Sequence, residues 1–115
     1  MKKVTKGATA EFVRNQLKTN EKWAKAALLK IYALQTADEQ DAGYTHEWNG
    51  VGFSGVHAEI MSSLAVQLKS KGWLSPKQMN IVHKIIHKYT RQVIMISDPA
   101  KLEAQVRAAN YMKLH

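Results

Sequence analysis

The chain has 115 residues, 45% of them hydrophobic, which suits one globular domain with a packed core and leaves little room for a second. It contains no cysteine, which excludes disulfides, thiolate metal sites and a cysteine nucleophile. The formal net charge is +8 and is unevenly distributed: residues 1–35 carry +6, residues 36–60 carry −5 and residues 61–115 carry +7.

The spacing of apolar residues predicts an all-α fold, a compact bundle of four to five helices within a single domain, residues 1–115, with a long central loop. Residues 1–8 are predicted to form a flexible basic N-terminal segment. A short first helix is predicted over about 9–18. Asn20 is the predicted N-cap of a second helix, which is expected to end at about Gln35.

The centre of the chain interrupts this periodicity. Residues 36–52 are rich in polar residues and glycine, and they predict the long loop, a kind of segment that is usually functional or mobile. A third helix is expected to run from about Ser54 to Lys71. Gly72 follows it at the position of a left-handed C-terminal cap.

The strongest helix start in the sequence is Ser75-Pro76-Lys77-Gln78, which has the pattern of a capping box with proline at the first helical position. It predicts a fourth helix, whose apolar residues from Val82 to Ile96 lie at helical spacing. Asp98-Pro99 repeats the pattern of a cap followed by proline and predicts a fifth helix.

A cationic face is predicted on the fourth helix, because its basic residues are spaced by seven, four and three positions. Such a face is suited to contacts with nucleic-acid phosphates, and two lysines of the second helix are added as further contacts. The six candidate residues are Lys77, Lys84, Lys88, Arg91, Lys22 and Lys25. The alternative interpretation is a solvated surface that only keeps the protein soluble.

Three other patterns carry weaker functional meaning. His83 and His87 are four residues apart, a spacing that places two metal ligands on one helix face. Nothing in the spacing demands a third ligand, so the favoured interpretation is two surface or half-buried histidines without a metal. The stretch Gly50–Gly55 matches G-x-G-x-x-G without a preceding strand, which favours a glycine turn. Ser54 and His57 are close in sequence, as in a serine nucleophile site, but the sequence shows no acid that would orient the histidine. We therefore expect no enzyme activity, no metal and no cofactor.

Five short segments occur in order along the chain: Asn20–Trp23, Gln35–Gln40, Asn49–Gly55, Leu74–Gln78 and Lys88–Gln92. Taken together, they resemble a small helical module of phage and mobile-element proteins, found alone or attached to helicase-like or DNA-processing proteins. The resemblance covers about two thirds of the chain. It implies a viral or mobile-element setting and an association with DNA metabolism, and it supplies no catalytic residues.

Two functional hypotheses follow. The first is a non-enzymatic module that binds nucleic acid, DNA rather than RNA. The second is an inhibitor of a host defence complex, similar in role to anti-CRISPR proteins, which uses its basic face or mimics DNA charge with its acidic loop. The polar stretch Gln35–Gln40 has no evident packing role, which makes that loop a second candidate surface. Its candidate partner-binding residues are Asp38, Glu39, Asp41, Glu47 and Trp48.

The sequence also bears on location. No apolar run reaches the length of about 18 residues that a membrane span requires. The basic start Met1–Gly7 is not followed by the apolar stretch of a signal peptide. We expect a cytoplasmic protein, in the host cell if it is phage-encoded, with no membrane partner.

Overall fold

A computed structural model of the chain describes residues 6–40 and 52–114. These residues form helices and turns and no strand, which confirms the all-α prediction. Within them, no helix is long and apolar enough to cross a membrane. The helices are α1 (Lys6–Thr19), α2 (Glu21–Gln40), α3 (Val56–Lys71), α4 (Pro76–Ile86), α5 (Thr90–Ile96) and α6 (Pro99–Leu114), and a 3-10 turn (His87–Tyr89) joins α4 to α5.

The predicted helix caps are confirmed. The Asn20 side chain accepts hydrogen bonds from the backbone N–H groups of Lys22 and Trp23, at 3.1 and 3.4 Å. Ser75 and Gln78 form a complete capping box at the start of α4. Gly72 ends α3 with φ of 80°, a left-handed conformation that favours glycine.

Two helices extend beyond their predicted ends. Helix α1 begins at Lys6, so the last residues of the predicted N-terminal segment 1–8 are helical. Helix α2 continues to Gln40 instead of ending at about Gln35. Residues 36–40 contain neither glycine nor proline, so their polar side chains do not stop a helix. The remainder of the predicted loop, residues 41–51, lies outside the described residues.

The fourth predicted helix contains one irregularity, because a 3-10 turn separates α4 from α5. Tyr89 departs from helical geometry, with φ of −102° and ψ of 22°. The Thr90 hydroxyl donates to the carbonyl oxygen of His87 at 2.6 Å, and such side-chain bonds compete with the regular helical ladder. The helical path nevertheless remains continuous from Pro76 to Ile96, so the described chain contains five helical runs.

One hydrophobic core joins these helices. Its buried members come from all six helices and the 3-10 turn, and Phe53 and Leu74 enter it from the turns before α3 and α4. The largest side chains with almost no exposure are Leu17, Leu28, Ile31, Met61, Ile86, Val13, Val82 and Val106. Helix α1 packs against α2, α4, α5 and the 3-10 turn, which sets the position of its outer face relative to α4.

Candidate nucleic-acid interface

The end of α1 is fixed to α4 by a side-chain contact. The Nδ1 atom of half-buried His83 lies 2.7 Å from the carbonyl oxygen of Leu17. Near its C-terminus, a helix has carbonyl groups without intrahelical partners, so this hydrogen bond satisfies one of them. The contact places the residues that neighbour Leu17 on α1 beside those that neighbour His83 on α4.

Two pairs of cations meet across this contact. Arg14 and Lys18 each follow a buried residue of α1 by one position, and Lys84 and Lys88 have the same four-residue spacing on α4 and the 3-10 turn. All four are exposed, and within the described residues none of them forms an ion pair with a carboxylate. We call Arg14, Lys18, Lys84, His87 and Lys88 the α1–α4 basic surface.

The pKa of His87 is affected by the positive charges of this surface. Burial lowers the pKa of its imidazole below 6.5, and the charges of Lys18, Lys88 and Arg14 lower it further. The carbonyl of Lys84 opposes these effects by accepting a hydrogen bond. Cations from two helices thus lie close enough to one imidazole to disfavour another positive charge, and the same field attracts an anion.

The four basic residues predicted on the fourth helix are all exposed: Lys77, Lys84, Lys88 and Arg91. The 3-10 turn does not carry Lys88 or Arg91 into the core, because the buried residues keep to the opposite side on both sides of the turn. Lys77, in the first turn of α4, and Arg91, in the first turn of α5, extend the run of cations beyond the α1–α4 basic surface.

The two lysines predicted on α2 have other surroundings. Lys25 Nζ forms an ion pair with Glu21 Oε1 at 2.8 Å, and the hydrogen bond and charge of Lys25 lower the pKa of Glu21. The charge of Lys25 is therefore largely balanced. Lys22 lies at a cleft between α2, α5 and α6. The structure does not bring either residue into the α1–α4 basic surface.

Arg14 and Lys18 were missing from the predicted interface. The sequence carries part of the signal, because both residues lie four positions apart, next to the buried Val13 and Leu17. Their place beside His87 depends on how α1 packs against the 3-10 turn, some 70 residues later in the chain. Periodicity within one helix contains no information about that packing.

Two glutamine side chains hydrogen-bond to the glycine turn before α3, which includes Gly52–Ser54. The Gln92 side chain accepts from the N–H of Gly52 at 2.9 Å and donates to its carbonyl oxygen at 3.1 Å. Gln35 accepts from the N–H of Phe53 at 2.8 Å and contacts Ser62 Oγ at 3.4 Å. The view that the Gln35–Gln40 stretch has no packing role is therefore wrong for Gln35, which holds the turn against α2.

Tyr89 connects the same turn to the 3-10 turn. Its hydroxyl accepts from the N–H of Ser54 at 3.1 Å and lies 3.0 Å from His57 Nδ1, while its ring packs edge-on against Phe53 at 5.1 Å. Ser54 and His57 both bind this hydroxyl, and no carboxylate hydrogen-bonds to either of them within the described residues. These contacts position the turn before α3.

The remaining predicted sites are the histidine metal site and the acidic loop. In the described part of the chain, no group of three histidine or acidic residues is arranged to hold a metal. Asp38 and Glu39 belong to the last turns of α2, and their side chains lie outside the described part. Asp41, Glu47 and Trp48 lie outside the described residues altogether.

Three of the five segments that carry the resemblance to the phage and mobile-element module meet in the fold, because Gln35, Tyr89 and Gln92 all hydrogen-bond to the turn at Gly52–Ser54. That resemblance stays a prediction. No protein-family model, curated protein or solved structure matches the chain.

Proposed function

We propose that the chain is a non-enzymatic nucleic-acid-binding module that prefers DNA to RNA and contacts phosphates through the α1–α4 basic surface. One observation carries the proposal: two cation pairs, Arg14 with Lys18 and Lys84 with Lys88, converge from two packed helices without a carboxylate partner among the described residues. A protein that only needs solubility gains nothing from placing like charges together, because their mutual repulsion opposes folding.

The spacing within each pair suits a nucleic-acid backbone. Residues four apart on a helix are separated by a rise of about 6 Å. Along one DNA strand, a phosphate occurs about every 3.4 Å of axis rise. With one phosphate for each cation, the two pairs on adjacent helices offer about four contacts. Contacts of this kind supply affinity without base discrimination, so we expect little sequence preference.

The preference for DNA rests on the resemblance to a module of phage and mobile-element proteins, some of which process DNA. The competing hypothesis is an inhibitor of a host defence complex that uses either its basic face or its acidic loop. In the second form it depends on Asp38, Glu39, Asp41, Glu47 and Trp48. No observation on the described residues favours it over phosphate binding.

The test is fluorescence anisotropy with labelled single-stranded DNA, duplex DNA and RNA of equal length. We compare the wild type with two variants of the surface, Arg14→Gln/Lys18→Gln and Lys84→Gln/Lys88→Gln. Because each variant removes two phosphate contacts, we expect each to weaken DNA binding at low salt by about tenfold or more.

A charge-matched control removes two exposed lysines of α3 in the variant Lys69→Gln/Lys71→Gln. It lowers the net charge by the same amount and should change the DNA affinity much less, with circular dichroism confirming the fold of all three variants. Absence of binding to all three nucleic acids at low salt would contradict the proposal. An equal loss in the control would show a diffuse charge effect without a defined surface.

A further inference from the structure

A second feature of the molecule is an open cleft of about 390 Å³ between α2, α5 and α6. Pockets for small ligands generally measure about 300–1,000 Å³ and have mainly apolar walls with a few polar groups. The floor of this cleft follows that pattern, because Trp23, Ala27, Val93 and Leu102 line it. None of its lining residues belongs to the α1–α4 basic surface.

The floor is held in place by the core. Ala27, Val93 and Leu102 are buried and belong to the hydrophobic core of the domain. Trp23 packs edge-on against Phe12, with ring centroids 5.8 Å apart, so its indole is fixed from the side of α1. Because these side chains are fixed by contacts within the protein, an apolar ligand would meet a preformed surface and would pay little to order it.

Three lysines surround this apolar floor: Lys22 and Lys30 from α2, and Lys101 from α6. Within the described residues none of them forms an ion pair. The one carboxylate among the lining residues, Asp98, accepts from the N–H groups of Ala100 and Lys101 at 2.9 and 3.2 Å and so caps α6. The three lysines and Asp98 together give the lining a net charge of +2, so a positive charge remains at the cleft.

We propose that this cleft binds a small amphipathic anion, an apolar body that carries one carboxylate or phosphate group. The apolar body covers the floor formed by Trp23 and Leu102, and the anionic group lies between the lysines. A medium-chain fatty carboxylate and an aryl phosphate both have this chemistry. The inference is independent of the proposed DNA contacts, since it uses different residues.

Isothermal titration calorimetry of the full chain tests the inference with matched ligands. Decanoate is compared with acetate, and phenyl phosphate with inorganic phosphate, so that each pair shares its anionic group and differs in the apolar body. We expect one-to-one binding of decanoate or phenyl phosphate, at least tenfold tighter than that of its small counterpart. The member that binds identifies the source of the ligand. Failure of both, or equal binding of acetate or phosphate, would overturn the proposal.

Two variants place the binding in the cleft. Ala26 lines the cleft at an exposed position of α2, so Ala26→Leu narrows it without disturbing the core. We expect Ala26→Leu to weaken binding at least tenfold and Lys30→Gln/Lys101→Gln about fivefold. The controls are Ala104→Leu, on the exposed side of α6, and Lys69→Gln/Lys71→Gln. Unchanged affinity in Ala26→Leu, or an equal loss in either control, would contradict the assignment.

The same titrations separate this inference from the proposed function. Lys84→Gln/Lys88→Gln should leave the affinity for the small ligand unchanged while it weakens DNA binding. If Lys84→Gln/Lys88→Gln lost as much affinity for the small ligand as Lys30→Gln/Lys101→Gln, the proposal of a separate site in the cleft would be overturned.

Discussion

The imidazole of half-buried His87 has Lys88 beside it on the 3-10 turn and Lys18 and Arg14 beside it on α1. Burial is the largest cause that lowers its pKa, and the three cations add to it. In the unfolded chain, the pKa returns towards 6.5, so the unfolded state binds the proton more tightly than the native state does. The contribution of His87 to stability is therefore full above pH 6.5 and decreases as the pH falls through that value.

A phosphate at the α1–α4 basic surface should reverse this shift, because a nearby negative charge favours the charged imidazole. DNA binding would then be coupled to uptake of a proton by His87. We expect the DNA affinity of the wild type to rise as the pH falls from about 7.5 to about 6, the range in which histidine titrates. The variant His87→Gln should show a flatter pH dependence of the anisotropy midpoint. A steeper dependence in that variant would contradict the assignment.

At Tyr89, the hydroxyl and the ring have separable roles. Tyr89→Phe keeps the buried ring against Phe53 and removes the partner of the Ser54 N–H and of His57 Nδ1. Because a part-buried donor is then left without its acceptor, we expect the free energy of unfolding to fall by about 1–2 kcal/mol. Urea denaturation followed by circular dichroism measures the change.

The control for Tyr89→Phe is Ser54→Ala, which retains the backbone N–H of Ser54 and removes only a hydroxyl 3.4 Å from the tyrosine oxygen. Its side chain is exposed, so we expect a loss below about 0.5 kcal/mol. If Ser54→Ala cost as much as Tyr89→Phe, the N–H contact would not be the important one.

At the scale of the element, the turn before α3 depends on glycine at one position. Gly52 has φ of 153°, and a Cβ atom there would lie 2.9 Å from Gln35 Oε1. Gly52→Ala therefore strains the backbone and displaces the side chain that accepts from the Phe53 N–H. We expect the free energy of unfolding to fall by about 1–3 kcal/mol.

Gly7→Ala is the matched control for Gly52→Ala. Gly7 is in the first turn of α1, and a Cβ atom there would meet nothing within 4 Å. Alanine is the better helix former, so we expect unchanged stability or a gain of up to about 1 kcal/mol. Equal destabilisation by the two substitutions would argue against a special role for the turn.

Helix starts were the elements best predicted from the sequence. Asn20, Ser75 and Asp98 each act through residues two or three positions away, so their patterns are visible locally. The end of α2 and the 3-10 turn were not predicted. The first lacks a glycine or proline stop. At the second, the Thr90 hydroxyl bonds to the carbonyl oxygen of His87, and Tyr89 contacts Ser54, 35 residues earlier in the chain. The spacing of apolar residues shows neither contact.

At the scale of the whole molecule, the charge separates into distinct surfaces. Lys77, Lys84, Lys88 and Arg91 follow one helical run as the sequence predicted, whereas Arg14 and Lys18 join them only through tertiary packing. Lys22 lies in a different cleft. Charge totals and helical spacing thus predicted a basic protein with one cationic helix, but the grouping of cations across helices required the packing of α1.

The salt dependence of duplex DNA binding tests the central claim most directly. The four unpaired cations of the α1–α4 basic surface predict that the logarithm of the association constant falls against the logarithm of salt concentration with a slope of about −4. Lys84→Gln/Lys88→Gln should reduce the magnitude of that slope by about 2, and Lys69→Gln/Lys71→Gln should leave it close to that of the wild type. A slope that is near zero, or that changes equally in both variants, would contradict a phosphate-binding surface formed by α1 and α4.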